Sequence, residues 1–428
     1  MDWNTLPTPC YVVDENLIEK NLQILQGVSR RTGAKVLLAQ KAFSMYELYP
    51  LIGNYLSGAT ASGLFEARLW AEESAGESCR ENCRENCRDN WPEGSVRGSH
   101  LENHIFSPAY REEDFGEILQ YCGHIVFNSW QQVRRFGPRA KAAGKNIGLR
   151  INPQCSTQEG HEIYDPCSAG SRLGVTLENF KSGLTYPQDR DHFDEDIHRK
   201  MWISQWKSMD VQWITLLDGL HFHTLCEQDS DALEITLEAV EEKFGRWLPQ
   251  MKWINFGGGH HITREGYDIA RLERCIRRMQ EKYGLTVYLE PGEAVALNAG
   301  FLVATVLETL HNGMDIAILD TSAACHMPDV LEMPYRPPLQ GSGQPGEKAF
   351  TCRLGGPTCL AGDVVGDYSF DHPLREGDRL IFEDMAIYSM VKNNTFNGMP
   401  LPAIVLKRRN GEFRIVKEFG YEDFKRRL

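Results

Sequence analysis

Eight short apolar runs dominate the first two thirds of this 428-residue chain, and segments with helical periodicity separate most of them. The runs are KVLLAQ (35–40), GATAS (58–62), NHIFSP (103–108), HIVFNS (124–129), NIGLRINP (146–153), DGLHFHT (218–224), WINFGGG (253–259) and VYLEPGE (287–293). Apolar residues recur at helical spacing over 64–75, 112–121, 130–143, 230–247 and 268–283. An earlier helix is expected after Asp14 as N-cap, with Leu17, Ile18, Leu22, Leu25 and Val28 on one face and Gly33 as its stop. Strands and helices alternating in this number predict a (β/α)8 barrel over residues 14–295. Beyond residue 296 the helical period fades. FLVATVLETL (301–310), DIAILDTS (315–322), DRLIFEDMAIYSM (378–390) and LPAIVLKRR (401–409) are β-rich and separated by Gly/Pro turns. Residues 296–428, together with 1–13, are therefore expected to form a second, mostly β domain.

Barrels of this kind carry their chemistry at the C-terminal ends of the strands. The residues expected there are Lys41, Ser62, Asn128, Arg150 with Asn152, His221 and His223, Gly257, Gly258, Gly259 and Glu290. They are polar, ionisable or glycine, whereas the bodies of the strands are apolar. A lysine at the end of an apolar run either escapes to water or sits where its amine is used, and the company Lys41 keeps favours use. Three glycines after a strand let backbone N–H groups approach an anion closely, although a glycine triplet also serves tight turns. A lysine, a phosphate cradle, an imidazole that can lie flat and a strand-end carboxylate are together the parts needed to hold pyridoxal phosphate (PLP).

Other readings of the same residues remain open. His221 and His223 form an HxH on one strand, a pattern that binds zinc in barrel hydrolases, although it falls on the sixth run here. His260 and His261 read as turn residues, Cys226 as a packed thiol, Glu290 as a salt-bridged strand end and Asp329 as a loop carboxylate without a partner. Cys359 reads equally as a buried structural thiol.

In order along the chain, Lys41 in QKAFS, the FH of HFHTLCEQ, GGG, EPG, GPTC with Asp363, and the tyrosine of MAIYS before TFNG resemble the fold-type III PLP decarboxylases. That family includes the ornithine and diaminopimelate decarboxylases. TPCYVVDENLIEKNL, ATASGLFEARLW, SRLGV, GGGHHIT and DTSAACHMPDVLEMPYRP resemble most the branch acting on carboxylated polyamines. The resemblance implies an alanine-racemase-type barrel with a β domain, and decarboxylation of carboxynorspermidine and carboxyspermidine to norspermidine and spermidine. It implies Lys41 as the lysine joined to PLP, His223 stacked on the cofactor ring, and Glu290 against the ring nitrogen. Cys359 would return a proton to the α-carbon, Tyr388 would lie near the phosphate, Asp363 near substrate, and Arg150 would support the ring face or His223. It further implies a homodimer in which one chain's β domain completes the other's site.

Departures from the family pattern are informative. Glu293 follows EPG where relatives carry a phosphate-binding arginine, Leu360 follows the cysteine where relatives carry an acid, and TLCEQ replaces a small glycine-serine segment. Phosphate anchoring is thus expected to differ, and Glu227, Glu293 and Asp329 are surplus carboxylates able to pair with distal amines of the substrate. Two insertions, 77–100 with its Cys-Arg-Glu-Asn repeat and 186–200, are expected to be solvated excursions without a metal. The formal net charge of −13 with no concentrated basic stripe argues against nucleic acid and suits a cationic small molecule. No signal-like N-terminus or membrane-length apolar stretch is present, so a cytoplasmic protein is expected, with its 12 cysteines reduced.

Overall fold

In the computed structural model residues 2–74, 101–158, 165–184 and 213–428 are described, and both insertions lie outside the described residues. Strand β1 (Cys10–Asp14) leads into a helix over Glu15–Thr32. The Asp14 carboxylate accepts the N–H groups of Asn16 (2.9 Å) and Leu17 (3.3 Å), satisfying two amides that the first turn cannot. The helix ends as expected at Gly33, whose φ of +75° would strain any other residue.

All eight expected runs form the barrel. Its strands are β2 (Lys35–Ala39), β3 (Gly58–Ala61), β4 (Glu102–Phe106), β5 (His124–Phe127), β6 (Asn146–Arg150), β7 (Gly219–His221), β8 (Trp253–Asn255) and β9 (Thr286–Leu289). They pair in parallel in chain order, and β2 with β9 closes the ring at Lys35 with Tyr288 and Val36 with Leu289. Helices over Leu64–Glu73, Glu112–Tyr121, Trp130–Ala142, Ser230–Phe244 and Ile269–Tyr283 lie between strands, within three residues of each expected helix.

A barrel of eight strands encloses just enough room for side chains. Here Leu37, Val126, Trp253 and Tyr288 form a cluster inside it, with Phe106 packed against them. The indole of Trp253 fits because two neighbouring strands give up their side chains: a Cβ at Gly219 would fall 2.0 Å from its ring, and one at Gly148 2.4 Å. Overpacking a filled core costs about 1–3 kcal/mol. Gly219→Ala should therefore lower unfolding stability by about that amount in urea titrations, and trimming the indole in Gly219→Ala/Trp253→Leu should return part of it.

The second sheet contains β10 (Gly300–His311), β11 (Asp315–Leu319), β12 (Phe350–Gly355), β13 (Val364–Phe370), β14 (Arg379–Glu383), β15 (Ala403–Lys407) and β16 (Phe413–Lys417). Its order is β13-β12-β11-β10-β1-β15-β16, with β14 on β10, so the N-terminal strand sits in the middle of a sheet otherwise made of residues beyond 300. The sequence does not advertise β12, β13 or β16, whose alternating or polar residues are recruited by pairing with neighbours rather than by their own hydrophobicity. No helix among the described residues is long and apolar enough to cross a membrane. The nine cysteines among the described residues are free thiols.

Candidate active site

Lys41 follows the end of β2 by two residues and projects into a pocket at the C-terminal mouth of the barrel. Its lining includes His223, Cys226, Gly258, Glu290, Glu293 and Tyr388. The lysine is reached by solvent through the mouth, yet protein atoms close around its amine. Burial, then the Arg150 guanidinium, lowers its pKa, with Glu293, Glu290 and Cys226 opposing. Among the described residues no carboxylate forms an ion pair with it; its near neighbour is His223 Nε2 at 3.5 Å. Gly258 N–H donates to His223 Nδ1 at 2.8 Å, which assigns the imidazole proton to Nε2. Burial, then Lys41 and Arg150, pushes the His223 pKa well below 6.5, so the ring is neutral at pH 7.

Behind this pair lies a buried polar layer. Glu290 accepts from Asn255 Nδ2 at 2.7 Å and from His221 Nε2 at 3.2 Å. Burial opposes ionisation, but His221, His104 and Asn255 outweigh it and hold the carboxyl down to about 2. Burial lowers the His221 pKa in turn, so the pair is a carboxylate accepting from a neutral imidazole. Arg150 Nη2 donates to the backbone oxygen of His223 at 3.0 Å, and its guanidinium lies 4.6 Å from the Phe106 ring. Arg150 thus reaches the backbone of His223, one of the two positions the sequence offered it. The HxH imidazoles do not converge, since His221 engages Glu290 and His223 engages Gly258 and Lys41. Asn128 instead ties a loop, donating to Arg172 O (2.8 Å) and accepting from Gly174 N–H (2.7 Å).

The glycine triplet differs from the simple cradle expected. Gly257 N–H is taken by Asn255 Oδ1 (2.8 Å) and Gly258 N–H by His223. The positive φ of Gly257 (+69°) and Gly259 (+80°) lets the turn lie directly against residues 222–226, where a Cβ on Gly259 would meet Leu225 O at 1.9 Å. The triplet is therefore first a device for close packing.

Glu293 lines the pocket, and Glu227, Asp329 and Asp384 lie within its electrostatic reach or that of its neighbours. Glu293 accepts from His261 Nε2 at 2.9 Å, which makes that histidine more than a turn residue. Burial, then Glu293, raises the Glu227 pKa, with Asp384 and Asp329 adding to it. Asp329 has a partner after all, an ion pair with Lys392, which also bonds Glu332. Asp384, overlooked in the sequence, accepts from Asn298 N–H at 2.7 Å. Tyr388, at φ +56°, donates its N–H to Ala42 O at 2.9 Å and so clips the β domain to the Lys41 turn. Its MAIYS context was the only signal for it. Cys226 lines the cavity beside Lys41, which its packed-thiol reading did not suggest.

Cys359 and Asp363 stand apart from the pocket in this chain. Cys359 is exposed on the loop joining β12 to β13, and not buried as its structural reading required. Asp363 is buried and spends its oxygens on Ser322 Oγ (2.9 Å), Ala324 N–H (3.2 Å) and Thr358 Oγ1 (2.7 Å). Within one chain its carboxylate therefore holds the Cys359 loop in place and does not face the Lys41 pocket.

Among the described residues one further cluster has metal-ligand residue types: Glu102, His104 and His124 at the opposite end of the barrel. The two imidazoles stack at 3.9 Å with planes 16° apart, so their in-plane lone pairs run side by side and do not converge. Lys35 already pairs with Glu102. The arrangement is an ion-paired plug.

Comparison with known proteins agrees with this geometry. The pattern described as "Pyridoxal-dependent decarboxylase, C-terminal sheet domain" matches residues 10–386. A carboxynorspermidine/carboxyspermidine decarboxylase of Campylobacter jejuni is 38% identical over 435 residues, covering 99% of each chain. A carboxyaminopropylagmatine decarboxylase of Synechocystis is 39% identical, covering 99% of this chain and 96% of its own. The crystal structure of carboxynorspermidine decarboxylase complexed with norspermidine from Campylobacter jejuni superposes with a TM-score of 0.80 at 37% identity, covering 99% of this chain and all of that one. With the barrel, the strand-end lysine and the β domain in the family's order, the chain belongs to the pyridoxal-dependent decarboxylases, among relatives that act on carboxylated polyamines.

Proposed function

We propose that the protein decarboxylates carboxynorspermidine, and carboxyspermidine with it, to norspermidine and spermidine, using PLP held on Lys41. The observation that carries this is an amine with no ion-pair partner among the described residues, in a pocket lined by Glu290 and Glu293 and within electrostatic reach of Glu227 and Asp329. The residues present fit the cofactor. A buried lysine of lowered pKa supplies a neutral amine for a carbonyl, and Glu290, held ionised by Asn255 and His221, suits a protonated ring nitrogen. When bound, PLP supplies an electron sink for the pair left on the α-carbon as the substrate carboxylate departs as carbon dioxide.

The chain's own residues do the rest. His223, braced by Gly258 and Arg150, presents a neutral imidazole to the cofactor space. Of the triplet's amides only that of Gly259 is left by the bonds to Asn255 and His223, so it and Tyr388 are assigned to the phosphate end, where Glu293 cannot replace arginine. Cys359 Sγ, supplied by a second chain in a homodimer, returns the proton to the α-carbon, and Asp363 holds its loop. Glu227, Glu293, Asp329 and Asp384 face the distal ammonium groups of the substrate. Burial first, and the repulsion of neighbouring carboxylates after it, raises the pKa of Glu227 and of Asp384, and a polycation that enters relieves the repulsion. The barrel and its mouth belong to residues 14–295, and the β domain to 296–428 with 1–13.

Carbon dioxide release from a panel of amino acids tests the assignment. Sites built to pair with buried polar groups reject analogues lacking them by up to about 10⁴–10⁵. The kcat/KM for carboxynorspermidine should exceed that for ornithine, lysine and diaminopimelate by about 10³ or more on this ground. Comparable values for those three would remove the substrate assignment and leave the cofactor assignment intact. Carboxyaminopropylagmatine belongs in the panel, and a clear preference for it would move the distal group from ammonium to guanidinium.

A further inference from the structure

One buried residue outside the lining of the Lys41 pocket ties Glu290 to the glycine turn. Asn255, the last residue of β8, is wholly buried. Its Nδ2 donates to Glu290 Oε1 at 2.7 Å, and its Oδ1 accepts from Gly257 N–H at 2.8 Å. The amide orientation is not arbitrary, because a carboxylate can only accept here and a backbone N–H can only donate. Glu290 N–H in turn donates to Gly257 O at 2.8 Å. The three bonds form a closed circuit that runs through Asn255, Gly257 and Glu290. One link further, Gly258 N–H holds His223.

We infer that Asn255 is a positioning residue that sets the rotation of the Glu290 carboxylate and the path of the glycine turn together, so that ring-nitrogen partner and phosphate-end loop keep one fixed spacing. An asparagine suits this because one planar amide gives a donor to Glu290 and an acceptor to Gly257 at once, whereas ionised aspartate lacks the donor and alanine lacks both. The inference rests on the assignment of this pocket to PLP and goes beyond it, since no residue of the circuit other than Glu290 and the glycines was expected to serve the cofactor.

Two variants separate the two bonds. Asn255→Asp keeps the acceptor for Gly257 but places a second carboxylate against Glu290, within the 2.7 Å now spanned by a hydrogen bond. Asn255→Ala removes both contacts. The titratable and charged groups whose charge acts on Glu290 are His221 on β7, His104 deeper in the barrel on β4, Arg150 on β6 and Lys41 after β2, and all remain in both variants. Two carboxylates so close share one proton at low pH, which restores a donor, and repel when both ionise. The ratio of the PLP dissociation constant of Asn255→Asp to that of the wild type, measured by absorbance titration of cofactor-free protein, should therefore climb from pH 6 to pH 9. The rise should reach about tenfold or more, the size of a lost hydrogen bond to a buried charge. Asn255→Ala should weaken PLP binding with a ratio that does not depend on pH.

Hydrogen–deuterium exchange on the cofactor-free proteins supplies the second readout. The amide of Gly257 should exchange faster in Asn255→Ala and stay protected in Asn255→Asp. Ratios within twofold of one at every pH, or equal exchange of that amide in all three proteins, would overturn the inference. If the wild type takes up no PLP on Lys41, the function fails instead, and the exchange measurement still decides whether Asn255 holds the turn. Should Asn255→Ala not fold, the pH-dependent ratio in Asn255→Asp carries the decision alone.

Discussion

Lys41→Ala should yield a folded protein that fixes no PLP under borohydride and has lost nearly all turnover. The side chain stands in the pocket and not in the core, so its removal opens no cavity among the packed apolar residues and should cost little stability. Its loss takes away the one amine that the site has made suitable. Burial and Arg150 hold Lys41 below the usual lysine pKa, so the neutral, nucleophilic form is more populated at pH 7 to 8 than for a surface lysine. Lys35, at the start of β2, is paired with Glu102 at the far end of the barrel and cannot substitute. Peptide mapping after borohydride reduction of the wild type should find the cofactor on Lys41. Reduced PLP on another lysine, or a Lys41→Ala protein that still turns over, would remove it from this role.

Mixing two inactive proteins should restore activity. Cys359 lies outside the Lys41 pocket in one chain, exposed beside Leu360, which is itself 44% exposed. Asp363 accepts three hydrogen bonds at the base of this loop, from Ser322, Ala324 and Thr358. The proposed function has this thiol act in the pocket of a second chain, and that is what the mixing experiment tests. In a two-fold dimer with shared sites, Lys41→Ala and Cys359→Ala proteins are each defective in both sites. A mixed dimer can place both lesions in one site and leave the other whole. Random re-association of equal amounts makes about half the dimers mixed, and should return about a quarter of wild-type activity. The measurement is turnover after dissociation and remixing, with subunit exchange followed by a tag on one parent. Proven exchange without recovery would place Cys359 in its own chain's site or outside catalysis.

How much of this was legible beforehand depends on the range of the interactions concerned. The eight strands, the helix from Asp14 to Gly33 and the strand-end positions of Lys41, His223 and Glu290 follow from local pattern: apolar runs of strand length, a capping carboxylate, a glycine stop. Those signals act over a few residues and survive without a fold. The order of the motifs identified the family because it is a property of the chain itself. The strands β12 and β13 escaped notice because their pairing partners, and not their composition, make them strands.

The sequence by itself determined the barrel, the β domain's existence and the strand-end places of Lys41, His223 and Glu290. Only the tertiary structure decided what those residues do to one another. Asn255 is an unremarked residue in WINFGGG until β9 brings Glu290 to 2.7 Å from it. Asp329 looked unpaired until Lys392, 63 positions away, closed on it. Trp253 needed the empty space of Gly148 and Gly219 on two other strands. Hydrogen bonds, ion pairs and packing act over a few ångströms, whereas the residues that make them are separated by tens to hundreds of positions. Periodicity along a chain can place a side chain at the end of a strand, but only closure of the barrel brings it against its partner.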